Sequence, residues 1–250
     1  MFPISVGGEL DDFVNCTIYD EVNQHMIVAG VSSSMNFVPT ENPHGFAYAV
    51  DTAGNWIWGK FYYNVGTSLE SISGCKLDEE NNLLFFGTSD MKPVILKINA
   101  DKSDKPQNYT ILEELEIDTE FKTFSAFYHD VKDPSDGLPY YYMSYIVNET
   151  DVYISKISAT DMTVTANVKY GALKDELRPT MDVHVPRFME QDPDDESYLL
   201  LIGQFRFKGA IVRIKKRDLS IKNHYEIRKD KVYTYVKVGN ETHNDATLTE

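Results

Sequence analysis

Four times along this chain a short apolar run closes on a small residue: HMIVAG at Gly30, NLLFFG at Gly87, YYYMS at Ser144 and YLLLIG at Gly203. The steps between these residues are 57, 57 and 59. A unit of that length, built of runs too short to fold alone, must cover its apolar face with the next unit. No other feature restricts the chain so strongly. It speaks to architecture and says little about activity.

Each unit reads as four strands. The first gives LDDFVNCTIYD, HMIVAGV, GFAYAVD and WIWGKFYY, with an acidic turn from Glu21 to Gln24 and a second turn, Thr52-Ala53-Gly54-Asn55. The second gives LESISGCKL, LLFFGTS, PVILKIN and QNYTILEEL; the third TFSAFYHDV, YYYMSYIV, VYISKIS and TVTANVKY; the fourth TMDVHVPRFM, YLLLIG, AIVRIKK and IKNHYEIR. Alternating polarity, β-branched and aromatic content and Asp-, Asn- and Gly-rich turns favour strands over helices. The third-strand cores ILKI (95–98), ISKI (154–157) and IVRI (211–214) repeat at 59 and 57 residues.

The pattern predicts an all-β fold, a β-propeller of about four four-stranded blades. The blades fall at 9–63, 68–117, 121–170 and 178–228, in a single domain over 1–238 with a polar tail at 239–250. No helical periodicity competes. ILEELEIDTEF (111–121) fits a strand or a short helix and is read as a strand. Phe2 to Val6 looks like the last strand of an earlier blade, and VYTYVKV (232–238) like the first strand of a fifth. A lone first strand completes no blade, and exposed strand edges invite association. The expectation is therefore a partial or open propeller, finished by other chain segments or a partner.

The first unit resembles the SBBP-type β-propeller repeat of secreted and surface proteins of microbes. The resemblance rests on Gly7-Gly8-Glu9-Leu10-Asp11-Asp12, on IVAGVSSSMNFVPT (27–40) and on FAYAVDTAGNWIW (46–58). That family shows a Gly-Gly…Asp link, a strand ending in Gly-x-Ser/Thr, a Phe-Pro loop and an aliphatic strand followed by Asp-x-x-Gly-Asn. Here the loop reads Phe37-Val38-Pro39, and later units lose the Gly-Gly link. The resemblance implies a propeller and carries no catalytic residues.

With 42% hydrophobic residues the chain can bury a sizeable core, and its 16 tyrosines suit strands half buried and half wet. No apolar run reaches the ~18 residues of a membrane-spanning helix. MFPISVGGELDD has no basic start and no apolar stretch, so no signal peptide is visible. A net charge of −15 argues against nucleic acid as a partner. The one basic cluster is Arg213, Lys215, Lys216 and Arg217, extended by Lys222, Arg228, Lys229 and Lys231. It reads as solvated strand edges and turns, or as a docking patch for an acidic partner.

Four N-x-Thr sequons begin at Asn15, Asn108, Asn148 and Asn240. Asn108, Asn148 and Asn240 fall on an outer strand, a turn and the polar tail, where a glycan has room; Asn15 lies in an inner strand and is the poorest acceptor. Cys16 and Cys75 each lie nine residues after a glycine, Gly7 and Gly66. Read as one register on neighbouring blades, they stand too far apart to join, and two buried thiols are expected; a disulfide is the alternative. Cys16, Cys75, His129 and His184 lack the short-range spacing of a zinc site. The turns Asp133-x-x-Asp136, Asp192-x-Asp194-Asp195 and Asp78-Glu79-Glu80 either order their own backbone or hold calcium weakly. Trp56 and Trp58 are expected on one strand face, packed on the next blade or presented as a carbohydrate platform.

Three functions remain. The first is a non-catalytic propeller scaffold of a secreted or cell-surface glycoprotein, assembling with other protein chains or with itself through open blade edges. The second is an intracellular subunit of a large complex. The third is an enzyme or lectin with an axial site, for which Asp182, His184 and His129 are the nameable candidates; these make no constellation.

Overall fold

The computed structural model describes residues 7–34, 43–62, 70–89, 92–99, 106–111, 121–147, 151–171, 184–205, 208–228, 231–238 and 241–243. Eighteen strands account for nearly all of them. In the first half these are β1 (Asp12–Asp20), β2 (His25–Ser32), β3 (His44–Asp51), β4 (Trp56–Tyr62), β5 (Ser71–Leu77), β6 (Asn82–Ser89), β7 (Lys92–Asn99) and β8 (Pro106–Ile111). The third repeat supplies β9 (Phe121–Asp130), β10 (Tyr140–Val147), β11 (Asp151–Ser158) and β12 (Val164–Gly171). The remainder are β13 (His184–Gln191), β14 (Tyr198–Phe205), β15 (Lys208–Lys215), β16 (Ile221–Arg228), β17 (Lys231–Val238) and β18 (Glu241–His243).

Each repeat is an antiparallel meander. The first three sheets run β1-β2-β3-β4, β5-β6-β7-β8 and β9-β10-β11-β12, and the fourth runs β13 to β18 in chain order. The chain divides into two compact units, Met1–Glu114 and Leu115–Glu250. Each unit holds two sheets and a core of its own. In the first, Ile27, Ala29, Ala47 and Ala49 meet Ile72, Leu83, Phe85, Val94, Leu96 and Ile98. In the second, Ala126, Tyr140, Tyr142, Val152 and Ile154 meet Met189, Leu199, Leu201, Val212 and Ile214. Alternate residues along these strands supply the cores, as a period of two requires.

The hairpins are set by aspartates. Asp20 Oδ1 accepts the amides of Val22 and Asn23; Asp78 Oδ1 those of Glu80 and Asn82; Asp133 Oδ1 that of Ser135; Asp192 Oδ1 that of Asp194. The turns into the fourth strands use the same device at Asp51, Asp161 and Asp218. A carboxylate that bonds backbone amides two to four residues on fixes the turn locally. Part of the acidic composition is thus turn chemistry.

Two differences from the sequence reading lie in the strand order and in the repeat register. VYTYVKV begins no fifth blade: β17 pairs with β16, Arg228 opposite Lys231, and β18 pairs with β17 inside what reads as a polar tail. Only two residues separate Arg228 from Lys231, a link that suits a hairpin and is too short for a crossover to an inner position. The register of the third repeat also moves by one. Each first strand has an extra residue where it pairs with the second, at Asn15, Ser73, Ser125 and Arg187. The residue before it faces Gly30, Gly87, Tyr145 and Gly203 in turn, so Tyr145 takes the place given to Ser144 and the steps become 57, 58 and 58. At Gly30 a Cβ would meet the Phe13 carbonyl oxygen at 1.9 Å, and at Gly87 that of Ser71 at 1.8 Å. In the first two repeats the strand at the bulge leaves no room for a side chain, whereas the third carries Tyr145 at that position.

Candidate functional site

In the second unit, the β9–β10 turn and the β15–β16 turn flank a cleft of about 670 Å³ between neighbouring sheets. Its lining includes Asp133, Asp136 and Tyr140 from one sheet, with Lys156 and Thr165, and Ser197, Lys215, Lys216 and Arg217 from the other. That volume is within the range of about 300–1,000 Å³ usual for ligand sites.

Two buried ion pairs stand in its wall. Lys156 Nζ lies 2.5 Å from Asp133 Oδ2 and 3.9 Å from the centre of the Tyr140 ring. The hydroxyl of Tyr142 donates to the same carboxylate oxygen, and Ser135 donates its hydroxyl to Oδ1 at 2.6 Å. Burial alone would raise the Asp133 pKa; the Lys156 ammonium, Ser135 and Tyr142 overcome it and hold the carboxyl down to about 2. Burial and the Asp133 charge together push the Tyr142 phenol far above its ordinary value. Lys216, only 1% exposed, reaches across to Asp130 Oδ2 of the other sheet at 2.5 Å and also lies 2.9 Å from Gln191 Oε1 of its own sheet.

The Asp133–Lys156 pair belongs to a series. Lys97 Nζ lies 2.6 Å from Asp78 Oδ2, and the Arg213 guanidinium pairs with Asp192 while lying 4.1 Å over the Tyr198 ring. The basic residues are the third positions of ILKI, ISKI and IVRI, each reaching the aspartate of the turn that joins the first and second strands of its own sheet. The first repeat lacks this cation. Asp20 receives the side-chain amides of Asn23 at 2.8 Å and, from the next sheet, Asn81 at 3.1 Å. The carboxylate oxygens weighed as calcium ligands at Asp78, Asp133 and Asp192 are therefore already bonded to backbone amides and a cation.

Arg213 and Lys216 are not the solvated turn residues that the sequence suggests. Lys215 and Arg217 differ from them: among the described residues neither has a carboxylate within salt-bridge distance. Asp218 feels both at longer range, and its carboxyl is held low first by Ser220.

The cysteines meet. Cys16 on β1 and Cys75 on β5 form a disulfide, with Cα atoms 5.9 Å apart. The sequence reading gave them one register, and the pairing shows two. Cys16 lies opposite Ala29, one residue before Gly30, and Cys75 opposite Phe85, two before Gly87. One residue of offset turns a side chain to the other face of its sheet. Cys16 thus points toward the second sheet and Cys75 toward the first, which closes the distance that argued for free thiols. Joined to each other, they are withdrawn from any set with His129 and His184.

The remaining candidates scatter. The Asn15 amide is taken, its Nδ2 donating to the Ile72 carbonyl at 2.7 Å. Asn108 lies on β8, an edge strand opposite Lys97 on β7. Asn148, Asn240 and Asp182 fall outside the described residues, as do 112–120 and 1–6. His129 packs on Tyr141, ring centres 4.8 Å apart, and His184 opens β13. Trp56 and Trp58 do not share a face: an extra residue at Ile57 sets Trp58 opposite Ala49 and Trp56 opposite Val50. Trp58 packs on the core, while Trp56, 55% exposed, stacks beside Tyr48 at 5.3 Å.

No family model and no curated protein matches this chain. Solved structures do. The structure of the Dos1 propeller matches over 89% of this chain and 66% of its own, at 9% identity and a TM-score of 0.54. A protein of unknown function from Bacteroides caccae matches over 92% of this chain and 64% of its own, at 12% identity and a TM-score of 0.52. This chain thus spans just under two thirds of the length of either. At such identities the likeness is one of fold: antiparallel four-stranded sheets in succession, the blades of a β-propeller.

Proposed function

We propose that this chain is a non-catalytic interaction scaffold of a secreted or cell-surface glycoprotein. The observation that carries the reading is the Cys16–Cys75 bond between neighbouring sheets. Structural disulfides form and persist in oxidising compartments and are rare where glutathione keeps thiols reduced. Asn108 adds support, because an edge strand offers a glycan room. Propeller blades offer loops and strand edges that can engage other chains, which fits a scaffold. We also propose that the first repeat is an SBBP-type blade. Its Asp-x-x-Gly-Asn stretch forms a closed turn, in which Asp51 accepts the Asn55 amide at 2.7 Å and Gly54 has φ 85°.

The test is intact-mass measurement on protein purified from its own cells. Alkylation without reduction should leave both cysteines unlabelled, and peptide:N-glycosidase should lower the mass with the change mapping to Asn108, Asn148 or Asn240. Two alkylated thiols on a protein without glycan would replace this reading with the intracellular subunit.

A further inference from the structure

The cleft of the second unit is unbalanced in its hydrogen bonding. Its carboxylates are spoken for: Asp133 by Lys156, Tyr142 and Ser135, and Asp136 by the Tyr140 hydroxyl at 2.7 Å and the Leu138 amide at 3.0 Å. Thr165 turns its hydroxyl to the Lys156 carbonyl at 3.1 Å. Lys156 and Lys216 are held by their own aspartates. That leaves Lys215 and Arg217, two cationic donors on the same wall, with no carboxylate at salt-bridge distance among the described residues. The lining carries Lys156, Lys215, Lys216 and Arg217 against Asp133 and Asp136, with Asp130 behind it pairing Lys216 and Asp218 at longer range from Lys215 and Arg217.

We propose that this cleft receives an acidic segment of a partner protein, whose carboxylates bond Lys215 and Arg217. The inference deepens the scaffold reading and rests on it. A site with spare donors and satisfied acceptors selects a ligand rich in acceptors, and ionised acceptors bond such donors most strongly. The rest of the molecule does not repel the segment away, since at physiological ionic strength charges beyond about 8 Å are screened. Within the cleft Lys156 and Lys216 are neutralised by Asp133 and Asp130, so the attraction rests on Lys215 and Arg217, and complementarity of this kind sets both register and association rate. A volume of about 670 Å³ accommodates several side chains of an extended peptide. The cleft walls are strands and aspartate-anchored turns, so the donors are positioned before the ligand arrives.

Fluorescence anisotropy with a labelled oligoglutamate peptide tests this, with the matching oligoglutamine peptide as control. The acidic peptide should bind about tenfold or more tightly than the neutral one, and weaken as salt is raised. Lys215→Gln with Arg217→Gln should abolish that preference with the thermal transition little moved, because among the described residues neither side chain has a carboxylate at salt-bridge distance. Asp218→Asn should act in the opposite direction and tighten binding. It removes the carboxylate that feels both cations but keeps the oxygen that accepts the Ser220 amide at 3.0 Å. Equal binding of the two peptides, or unchanged binding in the double variant, would overturn the proposal. So would displacement of the peptide by an equal concentration of inorganic phosphate, which would mark a small-anion site. None of these outcomes bears on thiol or glycan status, so this inference and the secretory reading fail separately.

Discussion

The third position of each repeated I-x-basic-I core shows how one residue links a turn to a sheet. Lys97, Lys156 and Arg213 each cross a strand to reach the aspartate that fixes the preceding hairpin. Asp133 and Lys156 are the most enclosed of these pairs, with side chains 0% and 6% exposed. Removing one partner of a buried pair strands the other charge and costs about 3–5 kcal/mol. Asp133→Asn should therefore lower the unfolding free energy of the second unit by about that much, measured by denaturant titration. Adding Lys156→Met should recover most of the loss. Lys97→Met should cost less, because Lys97 is 24% exposed. The pH dependence follows from the same carboxyl. Its folded pKa of about 2 lies below the ordinary 3.8, so its stabilisation is present above about 4 and is lost as pH falls toward 2. An acid titration of Asp133→Asn should lack that part of the decline, and an unchanged acid limb would sink the account. The basic residues and the acidic turns are both visible in the sequence, but their pairing is not. Partners stand 19, 23 and 21 residues apart, because the intervening turns differ in length.

At the scale of the element, strand existence and order follow from alternation and turn chemistry, since each meander needs only local hairpins. Bulges are what the sequence hides. An extra residue at Asn15 or Ile57 leaves no compositional trace, yet it decides which face every later side chain takes. This is why Trp56 and Trp58 part and why Tyr145 replaces Ser144 in the repeat; Cys16 and Cys75 meet because they lie one and two residues past the equivalent bulges at Asn15 and Ser73. The cleft was legible only as a basic run, because the β15–β16 turn buries Lys216 and leaves Arg217 exposed. Two predictions belong here. Trp56 should be quenched by acrylamide much more readily than Trp58, read in single-tryptophan variants made with phenylalanine; equal quenching would place both indoles on one face. Gly30→Ala and Gly87→Ala should each destabilise the first unit by about 1–3 kcal/mol, because the added methyl meets a backbone carbonyl that cannot rotate away. A surface glycine-to-alanine change commonly has the opposite sign.

At the scale of the whole molecule, two units with separate cores share one chain, and the one disulfide among the described residues lies in the first. It joins first strands of neighbouring sheets across 59 residues of sequence. Closing a loop of that length in the unfolded chain is worth about 4 kcal/mol by the entropy argument, and measured values often fall short of it. Breaking the bond leaves Ile27, Ala29, Leu83 and Phe85 in place as the core between the sheets, so the first unit should weaken without losing its fold. The double variant Cys16→Ser, Cys75→Ser should lower the free energy of the first unit by about 2–4 kcal/mol. Hydrogen exchange resolved along the sequence is the fitting measurement, because it reports each sheet separately. Protection should fall in β1, β2, β5 and β6 and hold in β10, β11, β14 and β15. Equal loss in all eight strands would mean that the two halves unfold as one body. Loss confined to the second half would contradict the placement of the bond. The distinction bears on function as well, since a scaffold with a clasped first half and an independent second half would keep its charged cleft formed when the clasp is reduced.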